Sequence, residues 1–183
     1  RRIDDPIDTH RREISAALAF MATAEIRHFT RLAERLAELG VDPADAMEPF
    51  QEPIAEFHEK TAPGDWLESL VKAYVGDGIA TDFYREVSAA VDPETRALVL
   101  EVCSDTGHAN FAVATVNAAI EADPRLSGRL ALWGRRLVGE AMSQAQRVAA
   151  ERDGLTTLLV GGVGRPGMGL AELGAMFSRL TEA

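Results

Sequence analysis

Two of the chain's four Asp-Pro dipeptides, Asp92-Pro93 and Asp123-Pro124, constrain it more than any other feature. An aspartate in that place can accept hydrogen bonds from the free N–H groups of a helix start. Proline tolerates the first turn, where its missing N–H has no partner to lose. Both dipeptides therefore read as helix starts. A first helix is expected from about Thr9 to Leu39, stopped by Gly40, and a second from about Asp65 to Val91. A third follows Asp92-Pro93 to about Ala122, and a fourth runs from Asp123-Pro124 to near Asp153-Gly154. Between the first two, Pro43, Pro49, Pro53 and Pro63 make residues 41–64 read as a long crossover, with short helical turns around Ala46 and over 54–59. GGVGRPGMG reads as a linker and Leu170–Leu180 as a short closing helix. The one strand candidate, LTTLLV, is too short to persuade. The fold class expected is all-α: a single domain over residues 1–183, built as a four-helix bundle with a short extra C-terminal helix.

With 183 residues, 46% hydrophobic and 26% charged, the chain can bury a real core. It has no apolar run of the roughly 18 residues that a membrane span needs, and no signal peptide opens the sequence. The single cysteine, Cys103, excludes an internal disulfide and suits a reducing cytoplasm. A net charge of −10 opposes passive binding to nucleic acid. Arg125, Arg129, Arg135, Arg136 and Arg147 gather in one segment and read as a solvated helix face. The sequence begins at Arg1 without a methionine, and RRIDDPID reads as a turn, so residues upstream are expected.

The chemistry lies in AEIRHF and SDTGHANF. Each puts a carboxylate three residues ahead of a histidine, Glu25 with His28 and Asp105 with His108. On a helix such residues share a face. The first helix has an apolar stripe through 14, 18, 21, 25, 28, 32, 36 and 39. The third has one through Leu98, Glu101, Asp105, His108, Ala112, Val116 and Ala119. Both pairs are expected to face inward. Counting from the turns, an antiparallel second helix brings Asp77 to the same height, with Asp82 as the other choice, and the fourth helix brings Glu140. Burying ionised carboxylates with no counter-charge costs on the order of several kcal/mol each. Metal ions resolve that cost, and hard oxygens with a few imidazoles suit iron or manganese better than zinc.

With those residues in view, the chain resembles the ferritin-like carboxylate-bridged di-iron proteins. More narrowly it resembles the actinobacterial relatives of the tRNA 2-methylthio-N6-isopentenyladenosine hydroxylase (the MiaE-like family). The resemblance lies in AEIRHF, WLESLVKAYVGDGIATDFYRE, SDTGHANFAV and RLALWGRRLVGEAMSQAQRVAAERD, over about residues 12–155. It implies two non-haem irons, O2 as co-substrate, a hydroxylase activity and a tRNA base as substrate class. It also implies Glu25, His28, Asp105 and His108 as metal ligands, with Asp standing where the family has Glu in the second pair. The lone acid between the pairs matches Asp77 by level, then Asp82. The family's first acid would fall before Arg1, which leaves Glu140 as a substitute donor or as an acid bonding a ligand histidine. The alternative is a degenerate ferritin-like module, metal-poor or metal-free, with a structural or interaction role. A homodimer is a further open assembly.

Other features carry less. Cys103 falls on another face than Asp105 and reads as a packed thiol. His10 and His58 read as solvated, and Glu101 as a neighbour of the ligands or a proton relay. Trp66, Tyr74, Phe83, Tyr84 and Trp133 read as core aromatics first and channel walls second.

Overall fold

The computed structural model describes residues 6–104 and 107–151, with the side chains of residues 6–11, 13, 108 and 149 left outside that description. GGVGRPGMG, LTTLLV and Leu170–Leu180 also lie outside the described residues. The chain divides into two compact units, Arg1–Pro43 and Ala44–Ala183. Six α-helices and one 3-10 turn account for nearly all described residues, and no strand occurs among them.

Helix α1 (Pro6–Glu38) is the body of the first unit. Its end is set by Gly40, whose φ of 75° is open to glycine and strained for residues with a Cβ. Gly40 N–H donates to Ala37 O and Val41 N–H to Leu36 O, both at 2.9 Å, so the last carbonyls of the helix are satisfied.

The second unit starts with a departure from the sequence reading. Residues 43–60 form one continuous helix, α2 (Pro43–Lys60), rather than a crossover with isolated turns. Pro43 sits at the helix start, where proline fits. Pro49 and Pro53 each remove an internal hydrogen bond, but they stand four residues apart, so both losses fall on one side. Tertiary contacts outweigh them. Lys72 Nζ donates to Thr61 O at 2.9 Å and Arg136 Nη2 to Lys60 O at 2.7 Å, placing two cations on the C-terminal carbonyls of α2.

Helix α3 (Trp66–Val87) is capped by Asp65, whose Oδ1 accepts from Glu68 N–H at 2.9 Å. Glu68 reaches back to accept from Gly64 N–H at 2.7 Å. Arg129 then pairs with both acids, at 2.6 Å each. A 3-10 turn at Ser88–Ala90 closes α3. At Asp92 the expected cap is present: its Oδ1 accepts from Glu94 and Thr95 N–H at 3.1 and 3.0 Å, ahead of α4 (Pro93–Val102). The expected single helix to Ala122 is instead recorded as two, α4 and α5 (Gly107–Ala122). Cys103 caps α4 and Ser104 N–H folds back to Glu101 O at 3.1 Å. The break falls at Cys103 and Ser104, where the Ser104 hydroxyl also donates to Glu101 O at 2.7 Å. The fourth long helix, α6 (Leu126–Glu151), starts two residues later than Pro124, because Asp123 accepts from Arg125 N–H at 3.2 Å and also binds its guanidinium.

Helix α3 packs on both α5 and α6. Arg129 meets Asp65 and Glu68, and Trp133 Nε1 donates to Glu68 O at 2.9 Å, so α6 and α3 run parallel. Helix α5 starts beside the C-terminal end of α3, where Arg85 Nη2 donates to Cys103 O at 2.7 Å, and so runs antiparallel to it. Leu70, Ala112, Leu130, Trp133, Leu137 and Met142 make the core, with Leu137 fully buried. Leu137→Ala is expected to lower unfolding free energy by about 2–5 kcal/mol in urea titrations. Leu132→Ala, 64% exposed on the same helix, should stay within about 0.5 kcal/mol of the parent.

Candidate metal centre

In the first unit, Glu25 and His28 do stand together: His28 Nδ1 lies 3.6 Å from Glu25 Oε1. Their burial differs, however. The His28 side chain is 18% exposed and that of Glu25 57%. The less exposed row of α1 passes through Ile14, Ala17, Met21, Ala24, His28 and Leu32. It is rotated from the expected stripe, and leaves Leu18 and Glu25 at its edge. A period of 3.6 residues permits either 17 or 18, and either 24 or 25. The small alanines win here, and they are the positions that a reading by hydrophobic size passes over.

In the second unit, Asp77 is exposed on α3, and its carboxylate nevertheless acts on protein groups. It contributes to raising the titration of both the Cys103 thiol and the Tyr84 phenol, behind desolvation as the largest cause in each. Asp82 is half-buried and pairs with Arg85 at 3.3 Å. Because the same guanidinium binds the Cys103 carbonyl, the aspartate-bearing part of α3 lies against the chain that leads into α5. Cys103 is buried, and its thiol is pushed up by burial, with Arg85 opposing and Asp77 and Asp82 adding to it. That is a packed, unreactive thiol. Asp105 lies outside the described residues. His108 is placed only through its backbone, in the first turn of α5.

Glu140 has partners that the sequence did not suggest. Its Oε1 accepts from Gln144 Nε2 at 3.0 Å and lies 3.3 Å from Lys60 Nζ. Its carboxyl is held below the usual range, first by the Gln144 hydrogen bond and then by Lys60 against a desolvation penalty. Continuing the parallel register of α3 and α6, in which Val71 lies beside Gly134, brings Asp77 to the height of Glu140. Their partners differ: Glu140 meets α2, whereas Asp77 acts on Cys103, the cap of α4. Among the described residues no group of three or more His, Cys, Asp or Glu side chains gathers as a metal cage. Glu101 is exposed on α4, and His58 is exposed with its ring 5.8 Å from that of Phe57. The arginine cluster is consumed locally rather than solvated throughout: Arg125, Arg129, Arg136 and Arg147 all bind carboxylates or carbonyls.

The Lys60–Glu140 contact was missed because it depends on α2 being a helix. Its local trace was present, as Glu56 and Lys60 have i, i+4 spacing and pair at 2.7 Å.

Long helices in this arrangement, with α3 packed on α5 and α6, have the form of a ferritin-like helical bundle. A family model, the ferritin-like domain of actinomycetes, matches residues 8–162, and the chain belongs to that family. No curated protein matches the chain.

A depressed carboxyl stabilises the fold above its unfolded pKa, about 4.3 for glutamate, and that contribution is lost as pH falls through the lower folded value. Glu140→Gln should therefore melt below the parent at pH 7, with the gap closing below about pH 4. A higher melting temperature for the variant at pH 7 would show that Glu140 is repelled by other acids rather than held by Lys60.

Proposed function

We propose that this ferritin-like domain is an iron protein. Its two acid–histidine pairs, Glu25/His28 and Asp105/His108, supply ligands together with an α3 carboxylate, Asp77 or Asp82. The observation that supports this reading is the tie made by Arg85. Its guanidinium binds Asp82 and the Cys103 carbonyl together, which sets the entry to α5 against the aspartate-bearing stretch of α3. The donor chemistry agrees, since carboxylate oxygens with imidazoles accept iron and also manganese. A pair of bound irons would supply O2 activation for a hydroxylase or oxidase. The part left to the chain is to orient the donors, balance their charge and keep water from the site. The resemblance to the MiaE-like family points to a modified tRNA base as substrate. With a net charge of −10, attraction of that tRNA would need a local basic surface.

A metal-free structural module is the second reading, and one observation favours it. Lys60 already neutralises Glu140, one candidate for a further carboxylate donor.

Metal analysis after anaerobic loading with Fe(II) separates the two. The parent should hold about two irons per chain, as the di-iron class does. His28→Ala and His108→Ala should each lose at least about half of that, while Leu132→Ala keeps it. Negligible iron in the parent, equal to that of both histidine variants, would sink the iron reading and leave the structural one.

A further inference from the structure

The buried row of α6 ends on a polar residue. Leu130, Trp133 and Leu137 lie along it, and Gln144 follows Leu137 by seven residues, about two turns, at only 8% exposure. Its Nε2 donates to Glu140 Oε1 at 3.0 Å, while its Oε1 is buried with no hydrogen-bond partner. A buried acceptor in that state costs stability, whereas an apolar side chain of similar size in its place costs little. Turning the amide over brings no relief, because its oxygen would then face the Glu140 carboxylate. Glu140 therefore fixes the amide by its NH2 end and leaves the carbonyl pointing elsewhere. On its other side Glu140 lies 3.3 Å from Lys60 Nζ, so its own charge is already balanced.

Helix α3 decides what stands opposite. Trp133, in the same row as Gln144, bonds the Glu68 carbonyl, and Val71 lies beside Gly134, so this side of α6 faces α3. Gln144 is ten residues beyond Gly134, which in parallel helices brings it to the level of Thr81 and Asp82. Asp82 follows Val71 by eleven residues, close to three full turns, and so shares the face of α3 that meets α6. It is half-buried, with Oδ1 3.3 Å from Arg85. Asp77 follows Val71 by six residues, is turned about 120° from that face, and is exposed.

We infer that Gln144, through Oε1, and Asp82 are the oxygen donors that α6 and α3 present to a bound metal ion, with Glu140 as the residue that positions Gln144. The inference rests on the iron reading above and assigns the donors of two of its helices. Level and face both select Asp82 over Asp77, and the orphaned oxygen selects Gln144 over Glu140. An amide carbonyl and a carboxylate are hard donors that suit Fe(II) or Mn(II). Gln144 supplies its oxygen without adding a further negative charge to a buried layer, and a cation there satisfies the acceptor that the protein leaves open.

Anaerobic titration of the full chain with Fe(II), read by calorimetry, tests this beside melting of the metal-free proteins. Gln144→Leu should bind at least about tenfold more weakly than the parent. In metal-free form it should melt no lower, since leucine removes the unsatisfied oxygen. Gln144→Glu keeps an oxygen at that position and should bind at least as tightly as the parent, and Asp82→Ala should weaken binding as Gln144→Leu does. Parental affinity in Gln144→Leu or in Asp82→Ala would overturn the inference and leave the iron reading standing. Equal losses in Gln144→Leu and Gln144→Glu would do the same, because they would trace to the bond with Glu140 and not to the oxygen. A metal-free Gln144→Leu that melts well below the parent would overturn it too, by showing that the oxygen already has a partner. A parent that binds no Fe(II) overturns both.

Discussion

The parallel contact between α3 and α6 is what the rest of the second unit depends on. Leu137 fills its centre, and the Trp133 indole is held in one orientation because its N–H reaches the Glu68 carbonyl. Glu68 in turn helps cap α3 and pairs with Arg129. One short stretch thus joins apolar burial, a helix cap and an ion pair. The register this sets carries outward along α6. It puts Arg136 where it can bind the end of α2, and brings Glu140 and Arg147 to the acids and the lysine of that helix. A slip of one residue would turn that polar row away from α2, since each step on a helix rotates the face by about 100°.

Charge is used unevenly. The chain carries many more acids than bases, and the basic groups of α6 are spent on satisfying them at helix ends. Asp65 and Asp123 sit below the usual carboxyl range, the former chiefly through the Glu68 N–H it caps and the latter through Arg125. Lys72 shows the opposite balance, since burial pushes its ammonium down even as it caps α2. Exposed pairs of this kind contribute little singly. Their value lies in fixing where helix ends meet, which is why the segment with the weakest helical sequence, 43–60, is the one most laced with them.

The site was legible in residue type more than in position. Glu25 and His28 are adjacent as their spacing required, because i, i+3 proximity is a property of any helix. Which of the two is the less exposed was not legible, because alanines at 17 and 24 are nearly as good a guide to a less exposed row as the larger residues beside them. Glu140 illustrates the other limit. Its height could be counted from the turns, but its partner, Lys60, arrives on a helix that four prolines in the segment seemed to forbid.

By itself the sequence determined the helical class, the cap at Asp92, a helix start at about Asp65 and the stop at Gly40. Each of these rests on hydrogen bonds or backbone angles within a few residues. The tertiary structure alone decided that 43–60 is helical, that the third helix divides before Gly107, and that Glu140 faces a lysine. Those outcomes come from distant groups, Lys72, Arg136, Arg147 and Arg85, whose side chains complete backbone and carboxylate partners far along the chain. Local propensity has no access to such partners. Where it is weak or divided, the long-range hydrogen bond or ion pair makes the choice.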